Sequence, residues 1–91
     1  MITVSLALDR KGRVVAGPEV TALGLPGDED YPLEDALDDL AEEADEAISS
    51  LRADEKSDDE AVRNAVRRRL KKACQRIWDR RPIVEAVVLR V

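Results

Sequence analysis

Histidine and phenylalanine are absent from this sequence, and its aromatic residues are confined to Tyr31 and Trp78. Without histidine there is no imidazole for acid–base catalysis, for a nucleophile–imidazole triad or for a histidine-ligated zinc site. With aromatics at 2%, the core is built from Leu, Val, Ile and Ala, and little is left for stacking on bases or sugars. The single cysteine, Cys74, has no partner for an internal disulfide, and a lone thiol fits a reducing compartment. It falls on the shoulder of a helical pattern without a base to activate it, which suits a small packing residue better than a nucleophile. No apolar run approaches the roughly 18 residues of a membrane span, and Met1-Ile2-Thr3 does not open a signal peptide. The expectation is a cytoplasmic protein with no membrane contact.

What is present in excess is charge, and it is segregated. The 91 residues carry a net charge of −5, which is ordinary. Residues 1–26 hold three bases and two acids, for +1. Residues 27–60 hold sixteen acids and two bases, for −14. Residues 61–91 hold ten bases and two acids, for +8. The overall sign opposes generic binding of polyanions, while the basic last third leaves room for a local version of it.

Length and pattern predict a single domain over residues 1–91, with a thin core. Residues 2–9 alternate, with Ile2, Val4, Leu6 and Leu8 on one face and Thr3, Ser5, Ala7 and Asp9 on the other, as in a strand buried on one side. Lys11-Gly12 offers a turn position with positive φ, and a second strand starts at Arg13 to form a hairpin. Gly17-Pro18 interrupts it, so the strand bends, bulges or lies at an edge there. Residues 24–32 read as a loop, with Asp28, Glu29 and Asp30 ahead of a helix that opens at Pro32. Leu33, Leu37, Leu40, Ala44, Ile48 and Leu51 mark the apolar stripe of that helix, opposite a carboxylate face. A polar link follows, and Ser57-Asp58-Asp59-Glu60 has the pattern of a capping box with serine at the cap. Val62, Val66, Leu70, Ala73 and Ile77 then face inward on a second helix, which Arg80-Arg81 closes before Pro82. Residues 83–91 form a last strand that is apolar on both faces. The fold class is α+β: a ββααβ order, with two antiparallel helices on one face of a three-stranded sheet.

The candidate sites are few, and no catalytic or metal-ligating residue is assigned. Asp35, Asp38, Asp39 and Glu42 cluster on a helix, but calcium loops take glycine and carbonyl oxygens from irregular backbone, so a solvated face accounts for them better. Arg67, Arg68, Lys71 and Lys72 point outward on the second helix and are candidates for RNA contact. No interleaved aromatic or glycine-rich loop accompanies them, and the short link sets an acidic helix beside the basic one, so flanking charges pair within the domain. The last strand places Ile83, Val87, Leu89 and Val91 on one face and Val84, Ala86 and Val88 on the other. The second set is expected to face outward and to form a partner interface, because the helices cover only one side of the sheet.

Val4-Ser5-Leu6-Ala7-Leu8-Asp9-Arg10-Lys11-Gly12, then Val15-Ala16-Gly17-Pro18-Glu19-Val20 and Gly24-Leu25, resemble the opening of the C-terminal domain of bacterial ribonuclease J. The arginine-rich helix running into Trp78, followed by Arg80-Arg81-Pro82-Ile83-Val84 and a closing strand, resembles its end. The resemblance implies a parent enzyme with metallo-β-lactamase and β-CASP domains, a hydrolase that degrades and processes RNA by 5′-to-3′ exonuclease and endonuclease action. Its zinc ligands lie in upstream domains, so no cofactor is expected in this chain. It further implies a fragment excised from that longer enzyme, with Met1 an expression start. Its partners are then the other domains and subunits of the same enzyme, and RNA is met through the parent. Two roles stand open: a non-catalytic module for oligomer or domain assembly, and an accessory RNA-binding surface on the basic helix.

Overall fold

Strict alternation makes residues 2–8 the centre of the molecule. In the computed structural model, which describes residues 1–23, 32–79 and 82–91, strand β1 (Ile2–Leu8) lies between β2 (Val14–Ala22) and β3 (Val84–Arg90) in the order β2-β1-β3. The pairing with β2 is antiparallel and the pairing with β3 is parallel. Ile2, Val4, Leu6 and Leu8 are all buried and pack against two long helices on one face of the sheet. These are α1 (Leu33–Ser49) and α3 (Asp59–Trp78), with a single-turn helix, α2 (Ala53–Lys56), in the polar link between them. Helix α1 lies over β2 and α3 over β3. The ββααβ reading holds, with the short α2 added.

The hairpin forms as its residues dictate. The Asp9 carboxylate accepts the backbone N–H groups of Lys11 and Arg13, each at 2.9 Å, and the Arg13 Nε at 2.8 Å. Gly12 turns the chain with φ +82°. The turn rests on α2, since a Cβ on Gly12 would stand 2.4 Å from the Cβ of Lys56. Gly17 and Pro18 both fall opposite Leu6, between the Ser5–Glu19 and Ala7–Ala16 pairs, so β2 bulges where the sequence interrupts it and does so at a sheet edge. Gly17 has φ +80°, and a Cβ there would meet the Ser5 carbonyl at 2.7 Å.

Helix α1 buries Ala36, Leu40, Ala44, Ala47 and Ile48, and α3 buries Val62, Val66, Leu70, Ala73 and Cys74. The small residues on both let the helices lie close together and close to the sheet. The α3 cap is Asp58, whose carboxylate accepts the N–H groups of Glu60 at 3.0 Å and Ala61 at 3.4 Å. Ser57 instead donates its hydroxyl to the carbonyls of Ala53 and Asp54, at the end of α2. The expected serine cap is thus displaced by one residue: the extra turn of α2 uses Ser57 as its C-terminus, and the carboxylate is the better acceptor for the N–H groups of α3. Helix α3 stops at Trp78, with Asp79 in left-handed conformation at φ 53°. The expected closure at Arg80-Arg81, and the loop of residues 24–31 with its three acids, lie outside the described residues.

Candidate interaction surfaces

Cross-strand neighbours share a face of the sheet, so the parallel register settles how β3 is turned. Ile2, Val4 and Leu6 pair with Val84, Ala86 and Val88. Val84 is only 3% exposed, and Ala86 and Val88 pack against the core beneath α3. The expectation that these three residues face outward is therefore corrected. The outward set is Val87, Leu89 and the flanking Ile83 and Val91, exposed by 43%, 61%, 70% and 70%. The physical reason is register: Val84, Ala86 and Val88 stand beside Ile2, Val4 and Leu6, on the face that the helices cover.

The uncovered face of the sheet can be read off the pairing. Thr21, Thr3 and Glu85 lie side by side in one row, then Glu19, Ser5 and Val87, then Ala16, Ala7 and Leu89. Its centre is small and weakly polar, and its β3 side is apolar and forms a sheet edge. Ile83 extends the apolar border at one end and Val91 at the other.

A different surface lies on the helix side. Arg69 on α3 binds Glu43 through Nε and Glu46 through Nη2 at 2.7 Å, and Arg76 reaches Glu43 at 3.1 Å. The Arg69 guanidinium holds the Glu43 carboxyl below its ordinary value, with Arg76 adding to the effect. This is the pairing of flanking charges expected from antiparallel acidic and basic helices. Beside the cluster, an open groove of about 920 Å3 runs between α1 and α3. Arg68, Lys71 and Lys72 line it, over Ala47, Leu51 and Ala65. Arg67 is not among the lining residues, and its Nη2 donates to Asn64 Oδ1 at 3.1 Å. Three of the four cations proposed for RNA contact are thus brought together, and the fourth is turned away.

Two further residues have settled roles. Cys74 is fully buried in the core, and burial pushes its thiol up to about 11. Arg90, which the sequence reading passed over, ties three elements at the far end of the sheet. Its Nε donates to Asp59 Oδ1 at 2.6 Å, its Nη1 to the Asp9 carbonyl at 3.1 Å and its Nη2 to the Lys56 carbonyl. A signal was present: Arg90 is in phase with Val84, Ala86 and Val88, so once that set faces inward the arginine must find acceptors at the rim.

No group of three Cys, Asp or Glu side chains among the described residues is placed to hold a metal ion, and none of the described helices is long and apolar enough to cross a membrane.

A family model for the ribonuclease J C-terminal domain matches residues 1–91. The chain belongs to that family. It is similar to a ribonuclease J of Sinorhizobium meliloti, with 33% identity over 92 residues that take in 99% of this chain and 16% of that protein. The chain therefore spans under a fifth of the curated relative it matches. The ribonuclease J C-terminal domain, in this chain, offers two surfaces of opposite character: an uncovered sheet with an apolar border, and a basic groove between helices.

Proposed function

We propose that this domain is the non-catalytic assembly module of a zinc-dependent ribonuclease J that degrades and processes RNA in the cytoplasm. In this reading the metallo-β-lactamase and β-CASP domains upstream hold the metal and cleave the substrate. The domain docks them, or a second subunit, through the open face of its sheet. The observation that carries the reading is the exposed row of Val87 and Leu89, bordered by Ile83 and Val91 and adjoining the small side chains of Ser5 and Ala7. A flat face with a small centre and an apolar border excludes water well when another surface is laid on it. Accessory RNA contact through α3 is the weaker reading, because Arg67 is committed to Asn64 and no aromatic lines the groove.

The test is Val87→Lys with Leu89→Lys, made both in this chain and in the full-length enzyme. The isolated domain should keep its fold and its thermal midpoint, since both side chains already face water. The enzyme should lose its oligomeric state in light scattering, or lose protection of this domain from proteolysis. Retention of both in the doubly substituted enzyme would refute the proposed interface. Val84→Lys is the control, and it should unfold the domain because that position is core.

A further inference from the structure

The groove between α1 and α3 is independent of the sheet face and differs from it in chemistry. Its floor is apolar and partly covered: Ala47 is buried, and Leu51 and Ala65 are half-buried. Its rim carries Arg68 and Lys72, both exposed, and neither makes an ion pair with a described residue. Lys71, which also lines the groove and is exposed, adds to this charge, whereas Arg69 and Arg76 are held by Glu43 and Glu46. That cluster neutralises Glu43, the one carboxylate in the lining, and leaves the positive charge of the rim uncompensated.

We propose that this groove docks an acidic amphipathic helix of a partner polypeptide. Such a helix would lay leucine or alanine side chains on the floor and direct its carboxylates to Arg68 and Lys72. The spacing suits it: Arg68 and Lys72 are one turn apart, about 6 Å along α3, and carboxylates four residues apart on the incoming helix are separated by the same distance. Apolar anchors at three- and four-residue steps would meet the floor at Ala47, Leu51 and Ala65, in the usual manner of a helix seated in a groove.

Other occupants fit less well. A single-stranded nucleic acid would find no aromatic in the lining on which to stack. A small ligand would find an open trough without the converging buried polar groups that fix orientation. A second copy of α1 carries the right charge, but its Leu40, Ala44 and Ile48 are committed to its own core and are not free to fill the floor.

The experiment is fluorescence anisotropy on the 91-residue chain with three fluorescein-labelled probes. These are a synthetic helix with glutamate on one face and leucine on the other, the same helix with serine for leucine, and an oligouridylate. The glutamate–leucine helix should bind saturably, and the serine version should bind at least about tenfold more weakly, because the apolar floor then gains nothing. Arg68→Glu with Lys72→Glu should also weaken the glutamate–leucine helix by at least about tenfold, by turning two attractions into repulsions. Circular dichroism establishes that the doubly substituted chain is folded. If it is not, the leucine-to-serine comparison on the unaltered chain still decides. Absence of binding, equal binding of both helices, binding unaffected by the two substitutions in a folded chain, or tighter binding of the oligouridylate would each overturn the proposal.

Discussion

A single carboxylate sets where α3 begins. Asp58 accepts two N–H groups of the first turn, whereas the Ser57 hydroxyl is already given to the carbonyls that end α2. Asp58→Ala should therefore lower stability by about 0.5–2 kcal/mol in denaturant melts, and Ser57→Ala by less, because a hydroxyl shared between two exposed carbonyls is readily replaced by water. Equal losses would place the cap at serine after all. The sequence pattern favoured the serine, because Glu60 stands three residues on from Ser57 whereas Ala61 stands three on from Asp58. Only the existence of α2, one turn long, decides between them, and a four-residue helix leaves almost no periodic signal. Gly12 and Arg90 meet at the same corner. The first must lack a side chain because Lys56 stands against it, and the second supplies the donors that the ends of β1 and α2 lack.

Between elements, the α1–α3 cluster is a polar tie that carries a pH signature. The Glu43 carboxyl is held below its ordinary 4.5 by the Arg69 and Arg76 guanidiniums. Its stabilising contribution is thus complete above pH 4.5 and is lost as pH falls through the lowered folded-state value. Thermal midpoints of the natural chain should therefore drop on acidification through this range, and Glu43→Gln should show a shallower drop attributable to that side chain. Parallel curves for the two chains would mean that the cluster contributes nothing. The helix stripes themselves were legible: Leu40, Ala44, Val62, Val66 and Leu70 repeat at helical steps and are all buried. The orientation of β3 was not. With Val84, Ala86 and Val88 on one face and Ile83, Val87 and Leu89 on the other, hydrophobicity has no preference, and bulk points the wrong way. What fixes the face is the register with β1, which is not local to the strand.

At the scale of the molecule, the order of elements and the segregation of charge were both visible in the sequence, while the candidate surfaces were only half visible. The basic helix was evident as a helix, but the groove exists because small residues on α1 and α3 leave a trough that no single segment encodes. Removing Leu70, which sits at zero exposure between that trough and the sheet, should cost roughly 2–5 kcal/mol as Leu70→Ala in urea melts. A harmless substitution would mean that the helical layer is not anchored where it is described. The parallel pairing of the first and last strands has a mechanical consequence. Ile2 starts β1 beside the start of β3 at Val84, and Leu8 ends β1 beside Arg90. Residues 1 and 91 are therefore at opposite ends of two adjacent strands, separated by about 20 Å of sheet. Tension applied between them slides β1 along β3 and loads every rung of that ladder together, instead of peeling the rungs open one after another. A domain pulled in that direction yields as a block and at high force. Force applied across its two ends is passed on as through a stiff link.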